Sequence, residues 1–307
     1  MGAWPAQGRA RTALVTGAGN GIGAAVSEAL AGRGWNVALV DLDLGAAQAV
    51  AARIGERAAP FEANITDQAS LDAAVAGTAE RFGGIDLCFA NAGIAAEGTL
   101  RHTDPDVFAV QMDVNLVGTF RTIHACLPHL LASRGYLMIN SSASALMAPP
   151  GLGAYGASKA AVESLGDTLR RELRHHGVDV GVVYLLWVAT DLVEGAEAHG
   201  EIFGTVRSGF TGPLAKAMPV DRAVAAIVRG IEGRRRRVTT PGIITALYRL
   251  RGVAPALLER DAVKMAPAVE AATQREIAAK GAVDAALRRD TAATAAAAGA
   301  AAEADRG

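Results

Sequence analysis

Two residues of the segment Tyr155-Gly-Ala-Ser-Lys159 could carry out acid–base chemistry, and Ser142 lies thirteen residues upstream of the tyrosine. Residues four apart share one face of an α-helix, so the phenol and the ammonium can face the same space. A cation beside a phenol lowers its pKa from the usual value of about 10. We therefore predict Tyr155 as a general acid–base whose pKa Lys159 lowers.

A glycine-rich turn near the N-terminus could hold the phosphates of a nucleotide. It follows an apolar strand predicted at 12–16 and opens a helical pattern that runs to Leu30. The amide N–H groups of such a turn and the positive end of the helix dipole favour an anion. Glycines also allow the close approach of backbone that such a site needs. The residues of this glycine turn are Gly17, Gly19, Asn20, Gly21, Ile22 and Gly23.

Asp41 lies eighteen residues after Gly23, at the end of the second predicted strand. This position matches the acidic residue that binds the ribose 2′-hydroxyl in dinucleotide-binding folds. A carboxylate there repels a 2′-phosphate, and neither the glycine turn nor Leu42 offers a cation. We therefore predict NAD(H) as the cofactor, with NADP(H) less favoured.

The alternation of short apolar strands with longer helical patterns predicts the elements that must position these groups. It indicates an α/β protein with a Rossmann-type, doubly wound parallel sheet of about seven strands and helices on both faces. Long helices are expected at 106–131 and 153–175. Residues 1–255 are predicted to form a single NAD-binding catalytic domain. The alanine-rich segment 256–307 is predicted to be a helical, partly disordered tail.

Five motifs in order resemble the short-chain dehydrogenase/reductase (SDR) family over roughly residues 10–250. They are the glycine turn, Asn91-Ala92-Gly93, Asn115, Ser142, and Tyr155 with Lys159. The resemblance implies a Rossmann-type fold and hydride transfer between a nicotinamide cofactor and an alcohol or carbonyl group.

The resemblance also implies roles for individual residues. Tyr155 would be the general acid–base, Lys159 would hold the nicotinamide ribose, and Ser142 would hydrogen-bond the substrate oxygen. The backbone of Asn115 would hold a water molecule on the proton path. The motif 91–93 would line the adenine side of the cofactor and stabilise the sheet.

Further cofactor contacts are expected from Asn64, Ile65, Val188 and Thr190. Two positions depart from the family pattern. Asn64 replaces the usual aspartate, although its amide oxygen can still accept from the adenine amino group. Leu185-Leu186 replaces Pro-Gly beside the nicotinamide, which predicts a bulkier and more apolar pocket wall.

Composition narrows the class of protein. The formal net charge is −1, which gives no overall field for nucleic acid or an anionic membrane. We predict a cytoplasmic protein without stable membrane insertion. The sequence has only two cysteines, no apolar signal-like segment at the N-terminus and no long uncharged apolar run. The histidines show no metal-ligand spacing, so no metal is predicted. Four arginines at 234–237 are expected to form a solvated connector.

The resemblance also implies that a segment at about 187–218 closes over the substrate as a lid. Its apolar residues favour a lipophilic secondary alcohol or ketone. The resemblance further implies a homodimer or homotetramer built through the two long helices. Two alternatives stay open: an NADP-preferring carbonyl reductase, and a nucleotide-binding sensor or scaffold without turnover.

Overall fold

The computed structural model describes residues 4, 8–190, 200–287, 295–297 and 300. The strands are β1 Thr12–Thr16, β2 Asn36–Asp41, β3 Ala58–Glu62, β4 Leu87–Ala90, β5 Tyr136–Asn140, β6 Asp179–Leu185 and β7 Arg237–Thr240. The first seven helices are α1 Gly21–Ala31, α2 Leu44–Ile54, α3 Gln68–Phe82, α4 Pro105–Met112, α5 Thr119–Ser133, α6 Ser144–Met147 and α7 Gly153–Leu173. Further α-helices among the described residues are α8 Glu201–Ser208, α9 Val220–Glu232, α10 Gly242–Arg249, α11 Ala254–Lys280 and α12 Ala282–Ala286.

The described strands form one seven-stranded parallel sheet in the order β3-β2-β1-β4-β5-β6-β7. The chain runs outwards from β1 to β3 and then returns to β4 on the other side of β1. The strand order therefore reverses between β1 and β4, where doubly wound sheets bind their ligands at the carboxyl ends of the strands. The predicted fold class is confirmed.

The apolar strands are explained by helices that cover both faces of the sheet. One core lies under α1, α2 and α9, and it includes Val15, Leu39 and Phe89. A second core lies under α3, α5 and α7, and it includes Cys88 and Ile139. Residues of these strands alternate between the two cores because successive side chains point to opposite faces.

The helix predicted at 106–131 is interrupted. Between α4 and α5 the backbone forms a π-helical stretch, Asp113–Gly118, that contains Asn115. Such stretches are uncommon and occur mostly at functional sites. No simple sequence pattern distinguishes this stretch from an α-helix.

The C-terminal segment is helical, as predicted, and its described part packs against the domain. Val269 and Ala272 of α11 are fully buried in a third core that also contains Ile202 and Val206 of α8. After α12, Leu287 is buried beside Ile94. Small residues are sufficient for this packing because helices lined with alanine can approach their neighbours closely. The predicted disordered part falls largely on residues outside the described ones.

The expectation of a solvated connector at 234–237 is wrong for Arg234 and Arg237, whereas Arg235 and Arg236 are exposed. Arg234 is 5% exposed, donates to Asp179 Oδ2 at 2.9 Å, and also donates to two backbone carbonyl oxygens. Arg237 is paired with Asp167 and donates to Tyr248 Oη. Acceptors from distant parts of the chain surround this run, so two of its arginines are structural.

Candidate active site

The glycine turn adopts a conformation that larger residues cannot take. Gly17 and Gly21 have φ angles of +64° and +53°, which favour glycine. A Cβ atom at Gly23 would overlap the carbonyl oxygen of Gly17 and lie 2.9 Å from Asn91 Nδ2. Asn20 is exposed and precedes α1, and Ile22 packs on the first core. The turn is therefore a tight cradle at a helix N-terminus, which suits a phosphate.

Asp41 holds the glycine turn from the end of β2. Its Oδ2 accepts from the amide of Gly19 at 2.7 Å, and its Oδ1 accepts from the amide of Asp43 at 3.0 Å. The predicted acidic residue is therefore next to the cradle. The adjacent cleft has a volume of about 400 Å³. Residues from the glycine turn, Ala46, Arg53 and Thr190 line it.

Asn91 ties together the carboxyl ends of three central strands. Its Nδ2 donates to the carbonyl oxygens of Thr16 at 3.0 Å and Gly17 at 3.3 Å, and its Oδ1 accepts from Asn140 Nδ2 at 2.9 Å. The hydroxyl of Thr16 accepts from the amides of Asn91 and Ala92, each at 3.1 Å. This network stabilises the sheet at the edge where the cradle lies.

Ser142 and Tyr155 meet just beyond the carboxyl end of β5. Ser142 follows that strand, and its Oγ accepts from the amide of Ser144 at 3.1 Å. Tyr155 lies in the first turn of α7, and its partly buried ring packs on the third core. Burial raises the pKa of the Tyr155 phenol, and a hydrogen bond with Ser142 lowers it by less. The two hydroxyl groups can therefore bind one substrate oxygen.

Lys159 lies one helical turn beyond Tyr155 and is 4% exposed. Its Nζ donates to the carbonyl oxygen of Asn140 at 2.9 Å and lies 5.7 Å from the centre of the Tyr155 ring. Burial lowers the pKa of Lys159 from 10.5 to about 8. Burial raises the pKa of Tyr155, and the effect of Lys159 on that pKa stays a prediction.

The side chain of Asn115 is fully engaged in the π-helical stretch. Its Oδ1 accepts from the amide of Ile94 at 2.8 Å, and its Nδ2 donates to Ile94 O at 2.9 Å and Ser158 Oγ at 3.0 Å. Its backbone carbonyl accepts from Thr119 Oγ1 at 2.7 Å. Asn115 thus links the segment after Gly93 to α7. The water-binding role of its backbone stays a prediction.

Two of the expected adenine contacts lie in the turn after β3. Asn64 Oδ1 already accepts from the amide and the hydroxyl of Thr66, at 3.0 and 2.8 Å. Ile65 is buried and packs near Gly118. An adenine contact from Asn64 therefore stays a prediction. Such a contact would compete with the hydrogen bonds that Oδ1 already accepts from Thr66.

Gly93 contacts the residues around Lys159, whereas Thr190 contacts the glycine turn. A Cβ atom at Gly93 would be 2.9 Å from Asn115 Oδ1 and 3.3 Å from Lys159 Nζ, so only glycine fits there. Thr190 faces Gly21 across the cleft, and a Cβ atom at Gly21 would lie 3.6 Å from its methyl group. Val188 forms a parallel bridge with Met218.

The two leucines that replace Pro-Gly are both buried, but in different cores. Leu185 belongs to the first core and Leu186 to the third. Of the lid predicted at 187–218, residues 191–199 are outside the described ones. Trp187 and Phe203 are buried, with ring centres 5.3 Å apart. Much of the apolar character of the lid is therefore used in packing on the domain.

Two residues of this site were missed in the sequence analysis. Asn140 positions both Asn91 and Lys159, and its Oδ1 is buried without a hydrogen-bond partner. The Thr16 hydroxyl accepts hydrogen bonds from the two amides that follow β4. Each is a polar residue that ends an apolar strand, and this signal could have identified them. Among the described residues, no group of three or more His, Cys, Asp or Glu side chains is arranged to hold a metal ion.

A parallel sheet with a glycine cradle at its switch point defines a Rossmann-type nucleotide-binding protein. The family model for short chain dehydrogenases matches residues 11–200. The chain is 35% identical over 175 residues to a sorbitol dehydrogenase of Cereibacter sphaeroides, covering 56% of this chain and 68% of that protein. It is 32% identical over 225 residues to a 3-oxoacyl-[acyl-carrier-protein] reductase of Synechocystis sp., covering 67% and 91%.

Solved structures agree with this relationship. A short-chain dehydrogenase/reductase from Burkholderia phymatum in complex with NAD superposes with a TM-score of 0.71 at 25% identity, covering 81% of this chain and 95% of that chain. The chain belongs to the short-chain dehydrogenase family and is an oxidoreductase acting on CH–OH groups. No helix among the described residues has the length and apolar character needed to cross a membrane.

Proposed function

We propose that this chain is an NAD(H)-dependent dehydrogenase/reductase that interconverts a lipophilic secondary alcohol and the corresponding carbonyl compound. The observation that carries the proposal is the placement of Ser142, Tyr155 and Lys159 at the sheet edge that also holds the glycine turn. Folding alone does not require a buried lysine beside a tyrosine and a serine, because burying an ammonium is unfavourable.

The residues around the cleft fit a dinucleotide. The turn whose close packing requires glycine at position 23 suits the pyrophosphate, and Asp41 would accept from the adenosine ribose. Nζ of Lys159 and the unpartnered Oδ1 of Asn140 would face the nicotinamide ribose. A relative from Mycobacterium tuberculosis is described as an NAD-dependent oxidoreductase, and a similar reductase from Brucella melitensis is complexed with NADH. Both support NAD(H).

Protonation of the substrate oxygen is the step that these side chains can perform. A bound nicotinamide would supply or accept the hydride. The Tyr155 hydroxyl, whose pKa is raised, is protonated at neutral pH and can donate to a carbonyl oxygen. Ser142 would hold that oxygen in place. In the reverse direction, Tyr155 must give up its proton first, so we expect oxidation to be faster at alkaline pH.

The remaining expectations belong to the same proposal. Phe108, Val117 and Phe120 are exposed on the long helical region 105–133, which fits a homodimer or homotetramer built through these helices. Cys88 and Cys126 are buried free thiols, which fits a cytoplasmic location. Residues 1–255 would form the catalytic domain.

The catalytic assignment is tested by replacing Tyr155 with phenylalanine. Tyr155→Phe should lower kcat at least about a hundredfold, whereas the dissociation constant for NADH should stay within about twofold, since the ring is kept. Tyr248→Phe is the matched control, because Tyr248 packs outside the cleft against Arg237. A Tyr155→Phe enzyme that keeps most of its turnover would refute the role.

Cofactor preference and the non-catalytic alternative need separate tests. Comparing kcat/KM for NAD and NADP decides the first, and a preference for NADP would contradict the role of Asp41. Arg53 also lines the cleft, but its guanidinium pairs with Glu28 at 2.8 Å. A broad panel of alcohols and ketones, followed by absorbance of the reduced nicotinamide, decides the second. Tight nucleotide binding without any turnover would favour a sensor or scaffold.

A further inference from the structure

Helix α11 packs against α6, the short helix that follows Ser142. It contacts the lid helix α8, and Val269 of α11 lies close to Gly151, in the loop just before Tyr155. A Cβ atom at Gly151 would be 2.7 Å from Val269 and 2.8 Å from Val206 of the lid helix. A Cβ atom at Gly209 would overlap Met265 of α11. These three segments are therefore packed as closely as their backbones allow.

Glu276 of α11 is a buried carboxylate with a defined function in this packing. It is 6% exposed, and its Oε1 accepts from the amides of Glu201 and Ile202, the latter at 3.1 Å. These amides open the lid helix, where Gly200 offers no side chain to cap them. Lys280 contacts the second carboxylate oxygen at 2.9 Å.

A carboxylate at this position holds the lid helix in two ways. It satisfies backbone N–H groups that have no partner within the helix, and its charge lies at the positive end of the helix dipole. A second link is the ion pair between Arg275 and Glu201. Both side chains are exposed, so this pair contributes little to stability. The buried cap from Glu276 is therefore the main polar connection between α11 and the lid helix.

An apolar cavity of about 70 Å³ lies near the other end of the lid helix, about 16 Å along α11 from Glu276. The segment after Ser142 contributes Met147 and Pro149, the lid contributes Phe210 and Leu214, and α11 contributes Leu258, Asp261 and Met265. The carboxylate of Asp261 disfavours an anionic group there. A compact apolar group on an uncharged molecule matches this lining.

We propose that α11 completes the substrate site: Glu276 is a positioning residue that fixes the lid helix, and Leu258 and Met265 form one wall of a cavity for an apolar group of a neutral alcohol or ketone. This inference rests on the proposed function, because it assumes that the lid covers the substrate. It adds the C-terminal helix, which lies outside the residues that the family model matches.

The test uses the full chain with octan-2-ol and propan-2-ol as probes. Glu276→Ala should raise KM for octan-2-ol at least about fivefold and leave the NADH dissociation constant within about twofold. Amide hydrogen exchange in residues 200–208 should be faster by a similar factor. Glu276→Gln, which keeps one acceptor oxygen, should lie between the alanine variant and the wild type. Glu270→Gln, on the same helix but paired with Arg101 at the surface, should behave like the wild type.

The outcomes separate this inference from the proposed function. If the wild type oxidises neither alcohol nor any member of the broader panel, the proposed function fails, whereas hydrogen exchange still tests the cap. Unchanged exchange at 200–208 and unchanged KM in Glu276→Ala would overturn the role of Glu276, even if thermal stability falls. If Glu276→Ala does not fold, the same two measurements on Glu276→Gln decide. Met265→Ala should change the ratio of kcat/KM for the two alcohols. An unchanged ratio would overturn the proposal that Met265 contacts the substrate.

Discussion

Replacing Lys159 with methionine should make the protein more stable while it removes catalysis. The ammonium is 4% exposed, and burial lowers the pKa of Lys159 from 10.5 to about 8. That difference corresponds to a penalty of about 3 kcal/mol for keeping the charge in the folded state. Methionine has a similar length and no charge, but it loses the hydrogen bond to Asn140 O, which costs about 1–2 kcal/mol. We expect a net gain of about 1–2 kcal/mol at pH 7.

The gain should depend on pH in a defined direction. Between pH 8 and 10.5 the unfolded chain binds more protons at Lys159 than the folded chain, so the stability of the wild type rises with pH in this window. Below pH 8 the penalty is fully present and constant. The advantage of Lys159→Met should therefore be largest below pH 8, fall above it, and reverse towards pH 10.5, where only the lost hydrogen bond remains.

Thermal unfolding of both proteins without added cofactor measures this difference. At pH 7 the variant should unfold about 2–4 °C higher than the wild type, and this difference should shrink and then change sign as the pH rises. A midpoint difference that stays constant from pH 7.5 to 10 would refute the reasoning. Lys264→Met is the control, because Lys264 is an exposed lysine of α11 with no resolved contact to the site.

Two further outcomes follow from close packing and from buried charge. Gly23→Ala should weaken NADH binding at least about tenfold, since its Cβ atom overlaps Gly17 O. The control is Gly32→Ala, at the other end of the same helix, where a Cβ atom has contacts of 3.5 Å or more. Equal NADH dissociation constants for both variants would contradict the role of the glycine turn in binding the cofactor. Arg234→Met should lower the free energy of unfolding by about 3 kcal/mol, as measured by denaturant titration, because Asp179 is left without its close partner. The exposed Arg235→Met should change it by less than about 0.5 kcal/mol, and similar losses from both would show that burial of Arg234 does not matter.

The sheet and the central residues of the site could be predicted from the sequence because their signals are local. The glycine turn follows an apolar strand directly, and Tyr155 and Lys159 are one helical turn apart. The direction in which the pKa of Tyr155 shifts could not be predicted in the same way. It depends on burial, and burial is determined by segments that are distant in the sequence.

The burial of the C-terminal helix α11 could not be predicted from the sequence either. Its alanine-rich sequence contains few large apolar residues, so nothing in its composition indicates that Ala272 or Glu276 is buried. The partners of Glu276 are amides about seventy-five residues earlier in the chain. The burial of Arg234 and Arg237 could not be predicted for a similar reason, because their acceptors lie on β6 and α7.

The position of α11 in the chain has a consequence for biosynthesis. All seven strands precede residue 241, so the nucleotide-binding half can begin to form while later residues are still being translated. If α11 completes the substrate site as proposed above, that site cannot form until the residues of α11 have emerged from the ribosome. A nascent chain that already recognises its dinucleotide would therefore still be unable to retain the compound that it transforms.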